Sequence, residues 1–188
     1  MIALVLGGAR SGKSRYAATV AKALSASPVM LATSRIFDAD HGARIARHRA
    51  DRGPEWTTIE EEKSIARPEL AGRVVVVDCA TLWLTNLFLD ASQDVAETDA
   101  AARAELDRLA AIDATWIFVS NELGMAPHAA TESGRKFVDL QGFLNQAIAA
   151  RAEAVTLMVA GIPLPAKGGE MVAALRRREP HEPRETAR

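Results

Sequence analysis

Five short apolar runs punctuate the chain: Ile2-Ala3-Leu4-Val5-Leu6, Pro28-Val29-Met30-Leu31-Ala32, residues 73–77 with consecutive valines at 74–77, Thr115-Trp116-Ile117-Phe118-Val119, and Val155-Thr156-Leu157-Met158-Val159-Ala160. Each has the length of a strand, and none alternates apolar with polar. Continuous runs of this kind suit strands buried on both faces. The segments between them are long enough for crossover helices, so the pattern predicts an α/β fold, a mostly parallel twisted sheet with helices on both faces. Helices are predicted at about 13–26, 40–52, 80–89, 96–111 and 133–151. In the last of these Phe137, Leu140, Leu144 and Ile148 recur every three to four residues, a stripe that faces the sheet. No internal repeat or linker divides residues 1–167, which read as one domain. From Gly168 onward the chain is mostly charged, carries two prolines and has little to bury after Leu175, which predicts a flexible tail over 168–188. The Arg176-Arg177-Arg178 run reads as a solvated terminus rather than a binding arm.

The first run leads straight into Gly7-Gly8-Ala9-Arg10-Ser11-Gly12-Lys13-Ser14, the pattern G-x-x-x-x-G-K-[ST]. Placed between a strand and a helix, this is a phosphate-binding loop of the P-loop NTPase type. Its glycines let backbone N–H groups close on phosphate oxygens, and the helix points the positive end of its dipole at the same anion. Lys13 is then the residue that reaches the β and γ phosphates. Ser14 offers a hydroxyl to Mg²⁺, an ion held in such sites through few protein ligands and the substrate phosphates.

Ligands of open parallel sheets collect at the carboxyl ends of the strands. The ends here are polar: Thr33 and Ser34 after the second run, Asp78 after the valines, and Ser120, Asn121 and Glu122 after the fourth. Asp78 stands where P-loop proteins place the carboxylate that orients the Mg²⁺ shell. The plainer reading makes it the cap of the following helix over Thr81 and Leu82, a role the same position could serve at once. Between 40 and 52, Arg44, His48, Asp51 and Arg52 fall at steps that share one helical face. Neighbouring cations keep an imidazole neutral and nucleophilic, and guanidiniums grip a triphosphate bidentately, so His48 is a candidate covalent nucleophile. A surface helix of mixed charge explains the same residues.

Composition narrows the field. Lys and Arg number 23 against 24 Asp and Glu, a formal charge of −1 over 188 residues, so no global basic field points to nucleic acid. The sole cysteine, Cys79, forms no internal disulfide and is expected to pack in the core. The N-terminal apolar run is too short for a signal peptide and lacks a basic lead, and no stretch approaches the ~20 apolar residues of a membrane span. The expectation is a soluble, cytoplasmic protein.

Taken in order, Gly7–Arg15, Ala32-Thr33-Ser34, Arg44-Ile45-x-x-His48-Arg49-x-x-Arg52, Asp78-Cys79-x-Thr81-x-Trp83-x-Thr85-Asn86, Ser120-Asn121-Glu122-x-Gly124, Asn145-Gln146 and Val159-Ala160-Gly161-Ile162-Pro163 resemble the bifunctional adenosylcobinamide kinase / adenosylcobinamide-phosphate guanylyltransferases of cobalamin biosynthesis. The resemblance spans roughly residues 1–167. It implies two reactions: phosphorylation of the terminal hydroxyl of adenosylcobinamide by ATP or GTP, and transfer of GMP from GTP through a guanylyl-histidine to give adenosylcobinamide-GDP and pyrophosphate. It puts the nucleophile on His48 and nucleotide contacts on Gly7–Ser14, Ala32, Thr33, Ser34, Arg49, Ala50, Asp51, Arg52, Glu60 and Asp78. It also implies a homotrimer, with small molecules as the other partners. His41 and His128 are the rival imidazoles, and Arg10, Arg15, Arg44, Arg49 and Arg52 are the available cations.

The chain departs from the family pattern at Ala126-Pro127-His128-Ala129, where the family has Gly-Ile-Val-Pro, at Val138 in place of Arg, and at Glu153 in place of Asp. None of these positions lies in the phosphate loop or at His48. Two other function classes fit the phosphate loop alone: a small-molecule kinase without guanylyl transfer, and a nucleotide-dependent switch or assembly factor whose loops respond to the γ-phosphate.

Overall fold

The structure is a computed structural model that describes residues 1–35 and 53–176. Its strands are β1 (Ile2–Gly7), β2 (Val29–Ala32), β3 (Thr57–Glu60), β4 (Val74–Asp78), β5 (Thr115–Asn121), β6 (Ala154–Val159) and β7 (Ile162–Lys167). Its helices are α1 (Lys13–Leu24), α2 (Ala80–Asp90), α3 (Val95–Ala110), α4 (Glu132–Arg151) and α5 (Met171–Arg176), with a 3₁₀ turn at Pro68–Leu70. The strands form one sheet in the order β3-β2-β4-β5-β1-β6-β7. All neighbours run parallel except β7, which returns antiparallel along β6.

Burial on both faces explains the unbroken apolar runs. Within β1, Ile2 and Leu4 join the cluster built by α2, α3 and α4, while Ala3 and Val5 join the cluster under α1 and α5. β4 divides in the same way, Val75 and Val77 to one side and Val76 to the other. A strand with two dry faces cannot spend alternate positions on polar groups. The fold class and the five expected strands therefore stand, as do the four expected helices that fall within the described residues. The helix expected over 40–52 lies outside them.

Two strands escaped the sequence pattern. β3 is four residues, Thr57-Thr58-Ile59-Glu60, at the sheet edge and with no fully buried position. β7 reads Ile162-Pro163-Leu164-Pro165-Ala166-Lys167 and is exposed along its whole length. A sheet edge is where a strand tolerates its prolines, since the missing N–H groups need not enter a ladder. Within the segment expected as a tail, Met171 and Leu175 of α5 are buried against the α1 face. Residues 177–188 lie outside the described part.

Helix starts follow ordinary capping chemistry. Asp94 accepts the Glu97 N–H at 2.8 Å ahead of α3, and Thr131 accepts the Gly134 N–H at 3.0 Å ahead of α4. Glu153, a departure from the family pattern, accepts the Ile2 N–H at 2.8 Å and so fastens the start of β1 to the chain entering β6.

Phe118 is fully buried in the larger cluster. Phe118→Ala should lower unfolding stability by about 3–5 kcal/mol, whereas Leu164→Ala on the exposed edge should stay within about 0.5 kcal/mol. Urea unfolding monitored by circular dichroism checks both, through the shift in midpoint at unchanged slope.

Candidate functional site: a phosphate loop and its carboxylate

β1 delivers the chain to the loop under tight constraint. A Cβ on Gly7 would lie 2.6 Å from the Met158 carbonyl oxygen of β6, so only glycine lets the strand turn there. Gly12 occupies the cap of α1 in the left-handed region, φ 96°, which places Lys13 and Ser14 on the first helical turn. The first turn of α1 holds no acidic residue to oppose an anion. The loop is braced from outside by the Gly161 N–H, which donates to the Ser11 carbonyl at 3.0 Å.

Inside this loop the polar groups await an anion. Lys13 is buried, with its ammonium 2.7 Å from the Gly8 carbonyl. Burial lowers its pKa, opposed in part by the nearby Asp78 carboxylate. The Ser11 hydroxyl is buried, with no hydrogen-bond partner among the described residues. A buried donor left over at the mouth of a phosphate loop fits a phosphoryl oxygen. The Ser14 hydroxyl lies 3.4 Å from Asp78 Oδ1. Hydroxyl and carboxylate are the hard oxygen donors that suit Mg²⁺, and among the described residues no cluster of His, Cys, Asp and Glu forms a complete metal cage.

Asp78 is positioned by neighbours from β2 and α2. The N-cap position of α2 is Cys79, one residue after Asp78. Thr33 grips the same spot from β2: its hydroxyl donates to the Cys79 carbonyl at 2.8 Å and accepts the Cys79 N–H at 3.0 Å. Asn86 of α2 adds a bond from its amide to the Thr33 carbonyl at 2.7 Å. Cys79 is packed against the α1 side as expected, and burial pushes its thiol up to about 11.

The remaining predicted residues spread along the same carboxyl edge. Ala32, Thr33 and Ser34 close β2, directly beside Asp78 through the Ala32–Asp78 register. Glu60 closes β3 opposite Ala32, with β2, β4 and β5 between it and β1. At about 4.8 Å per strand, Glu60 lies roughly 19 Å along the edge from the loop strand. Glu60 and the phosphate loop are thus brought to one edge but not to one point. His48, His41, Arg44, Arg49, Ala50, Asp51 and Arg52 lie outside the described residues. His128 is exposed in the loop before α4.

Sequence reasoning missed two features. Arg35, which follows Ser34, is fixed by both oxygens of Asp90 at 2.9 and 3.0 Å and by Glu62 at 2.5 Å. The Arg35 hydrogen bonds and Lys63 hold the Asp90 carboxyl well below the usual carboxylate range. This anchors the chain where it leaves β2 for residues 36–52. Only the wide separation in sequence of Arg35, Glu62 and Asp90 hid it. The second is a buried amide network: the Ser120 hydroxyl donates to Asn145 Oδ1 at 2.6 Å, Gln141 donates to both, and Asn145 donates to the Asn121 carbonyl at 3.0 Å. It ties the end of β5 to α4.

Comparison with known proteins places this geometry. The model of the family described as cobinamide kinase / cobinamide phosphate guanyltransferase matches residues 3–166. A bifunctional adenosylcobalamin biosynthesis protein of Pseudomonas aeruginosa, CobP, is 46% identical over 169 residues, covering 88% of this chain and 96% of its own length. A protein of the same description from Escherichia coli, CobU, is 37% identical over 177 residues, covering 86% of this chain and 97% of its own. With a match across nearly the whole described sheet and a phosphate loop at its centre, the chain belongs to the cobinamide kinase / cobinamide phosphate guanyltransferase family.

Proposed function

We propose that this chain phosphorylates the terminal hydroxyl of adenosylcobinamide and then converts the phosphate to adenosylcobinamide-GDP with GTP. The observation that carries the reading is the placement of Ser14 within 3.4 Å of Asp78, next to the buried Lys13 in a loop whose Ser11 donor has no partner among the described residues. Together these groups form a cradle for a nucleoside triphosphate with Mg²⁺. The name of the family and those of the relatives supply the two activities and the cobinamide substrate.

In the first reaction the loop N–H groups and Lys13 hold the β and γ phosphates in line with the acceptor hydroxyl. Ser14 and Asp78 would hold Mg²⁺, which neutralises charge on the phosphates. In the second, the neutral imidazole of His48 attacks the α-phosphorus of GTP and pyrophosphate leaves with the bonding electrons. The substrate phosphate then displaces the imidazole to form the diphosphate. Arg49 and Arg52, with Ala50 and Asp51 between them, and Ala32, Thr33, Ser34 and Glu60 would line the nucleotide during this step, consistent with the position of residues 36–52 between β2 and β3. Arg10, Arg15 and Arg44 add positive charge for the departing pyrophosphate. The same reading includes a homotrimer acting in the cytoplasm. Among the described residues no helix is long and apolar enough to cross a membrane.

With GTP labelled at its α-phosphate and Mg²⁺, the denatured protein should retain an acid-labile, base-stable label. His48→Ala should abolish it; label surviving in that variant would exclude His48, and no label on the native protein would favour a kinase or a switch. Lys13→Ala should slow both reactions by about 100-fold or more, read as rates of cobinamide phosphorylation and of label uptake. Cys79 should not compete as a nucleophile. With its thiol near 11, roughly one molecule in a thousand is thiolate at pH 8, so iodoacetamide should modify the native protein at least tenfold more slowly than the urea-unfolded chain, as measured by mass spectrometry.

A further inference from the structure

β5 lies between β1, which runs into the phosphate loop, and β4, which ends in Asp78. Whatever follows β5 therefore stands over the gap between the loop and its carboxylate. That residue is Glu122. Its N–H donates to the Gly7 carbonyl at 3.1 Å, so the chain stays bonded to β1 one residue beyond the strand. The buried Ser120–Asn145–Gln141 network holds the strand end from the other side. Glu122 is thus a loop residue on a rigid base.

Its carboxylate opens on a cleft of about 350 Å³, lined by Gly8–Ser11 of the phosphate loop, by Glu122 and Met125, and by Leu157–Ala160 of β6 and the turn after it. One carboxylate oxygen, Oε1, accepts the Gly124 N–H at 2.8 Å; no donor among the described residues reaches Oε2. An ionised carboxylate only accepts hydrogen bonds, and it repels phosphate. Beside an anion loop, its natural partner is a neutral group with a hydrogen to give.

We infer that this cleft is the acceptor subsite of the kinase reaction and that Glu122 orients the acceptor hydroxyl and takes its proton. The inference rests on the proposed kinase activity and assigns it a residue and a substrate position. The volume stands at the low end for ligand pockets, enough for a hydroxyl-bearing arm and too small to enclose a macrocycle. The body of such a substrate lies outside, where Met125, 81% exposed, and Val159, 49% exposed, present apolar surface. In the step itself the hydroxyl oxygen forms a bond to the γ-phosphorus. The bond from that phosphorus to the β–γ bridging oxygen breaks, and the nucleoside diphosphate leaves with the electron pair. The hydroxyl proton passes to Glu122 and then to water. Guanylylation of an imidazole involves no hydroxyl proton, so Glu122 serves one reaction and not the other.

The test measures, on the same preparations of wild type, Glu122→Gln, Glu122→Asp and Met125→Ser, cobinamide phosphorylation from γ-labelled triphosphate and protein labelling from α-labelled GTP. Glu122→Gln should lower kcat for phosphorylation by about 100-fold or more and leave protein labelling at the wild-type rate. Glu122→Asp should recover part of the loss. Met125→Ser, at an exposed position, should raise KM for cobinamide several-fold with kcat kept. Phosphorylation by Glu122→Gln at the wild-type rate, a parallel loss of both activities in it, or an unchanged KM in Met125→Ser would overturn the inference. A wild-type protein that phosphorylates no cobinamide would instead sink the proposed function, and this inference with it.

Discussion

Burial of both faces leaves the parallel strands of this sheet one place to present polar chemistry, their carboxyl ends. Val75, Val76 and Val77 are all fully buried, and the next residue, Asp78, is the first that reaches solvent. The same change from dry to polar occurs from Val119 to the end of β5 and from Leu31 to Thr33 and Ser34. Because these strands run parallel, their polar ends line one edge, where the dipole of α1 and the glycine loop already favour an anion. The phosphate site is a consequence of the sheet as much as of the loop.

That edge is held by buried hydrogen bonds rather than by charge pairs. Thr33 is fully buried and spends its hydroxyl in both directions on Cys79, next to the carboxylate it steadies. Asn145 and Gln141 do the corresponding work behind β5. Buried polar side chains of this kind cost stability unless satisfied, and once satisfied they specify a single arrangement. Their effect is to fix where Asp78 and Glu122 begin. The ion pairs, by contrast, cluster at the surface, as Arg35 does with Asp90 and Glu62. Pairs of that exposure contribute little to stability, and their consequence here is geometric: they root the chain that leads from β2 toward His48.

The chemistry of the two proposed reactions divides along the same edge. The loop, Ser14 and Asp78 sit over β1 and β4, and Glu60 closes β3 at the far side. The proposed acceptor cleft borders the phosphate loop on its β6 side, and Glu122 enters it from the end of β5.

The five apolar runs and the loop motif made most of the sheet and the phosphate site readable from residues alone, because two-sided burial and the loop's need for glycine both leave local signatures. Asp78 was readable for the same reason, as a carboxylate ending a run of valines. β3 and β7 were not, since an edge strand asks little of its side chains and tolerates Pro163 and Pro165. Nor was the company that Glu122 keeps. Its partners come from Gly7, Gly124, the loop and β6, and no spacing in the chain encodes which strand lies beside which. Local sequence determined which segments could be strands, turns and anion loops. The order of strands in the sheet, set by how the helices cover its two faces, decided which polar ends became neighbours.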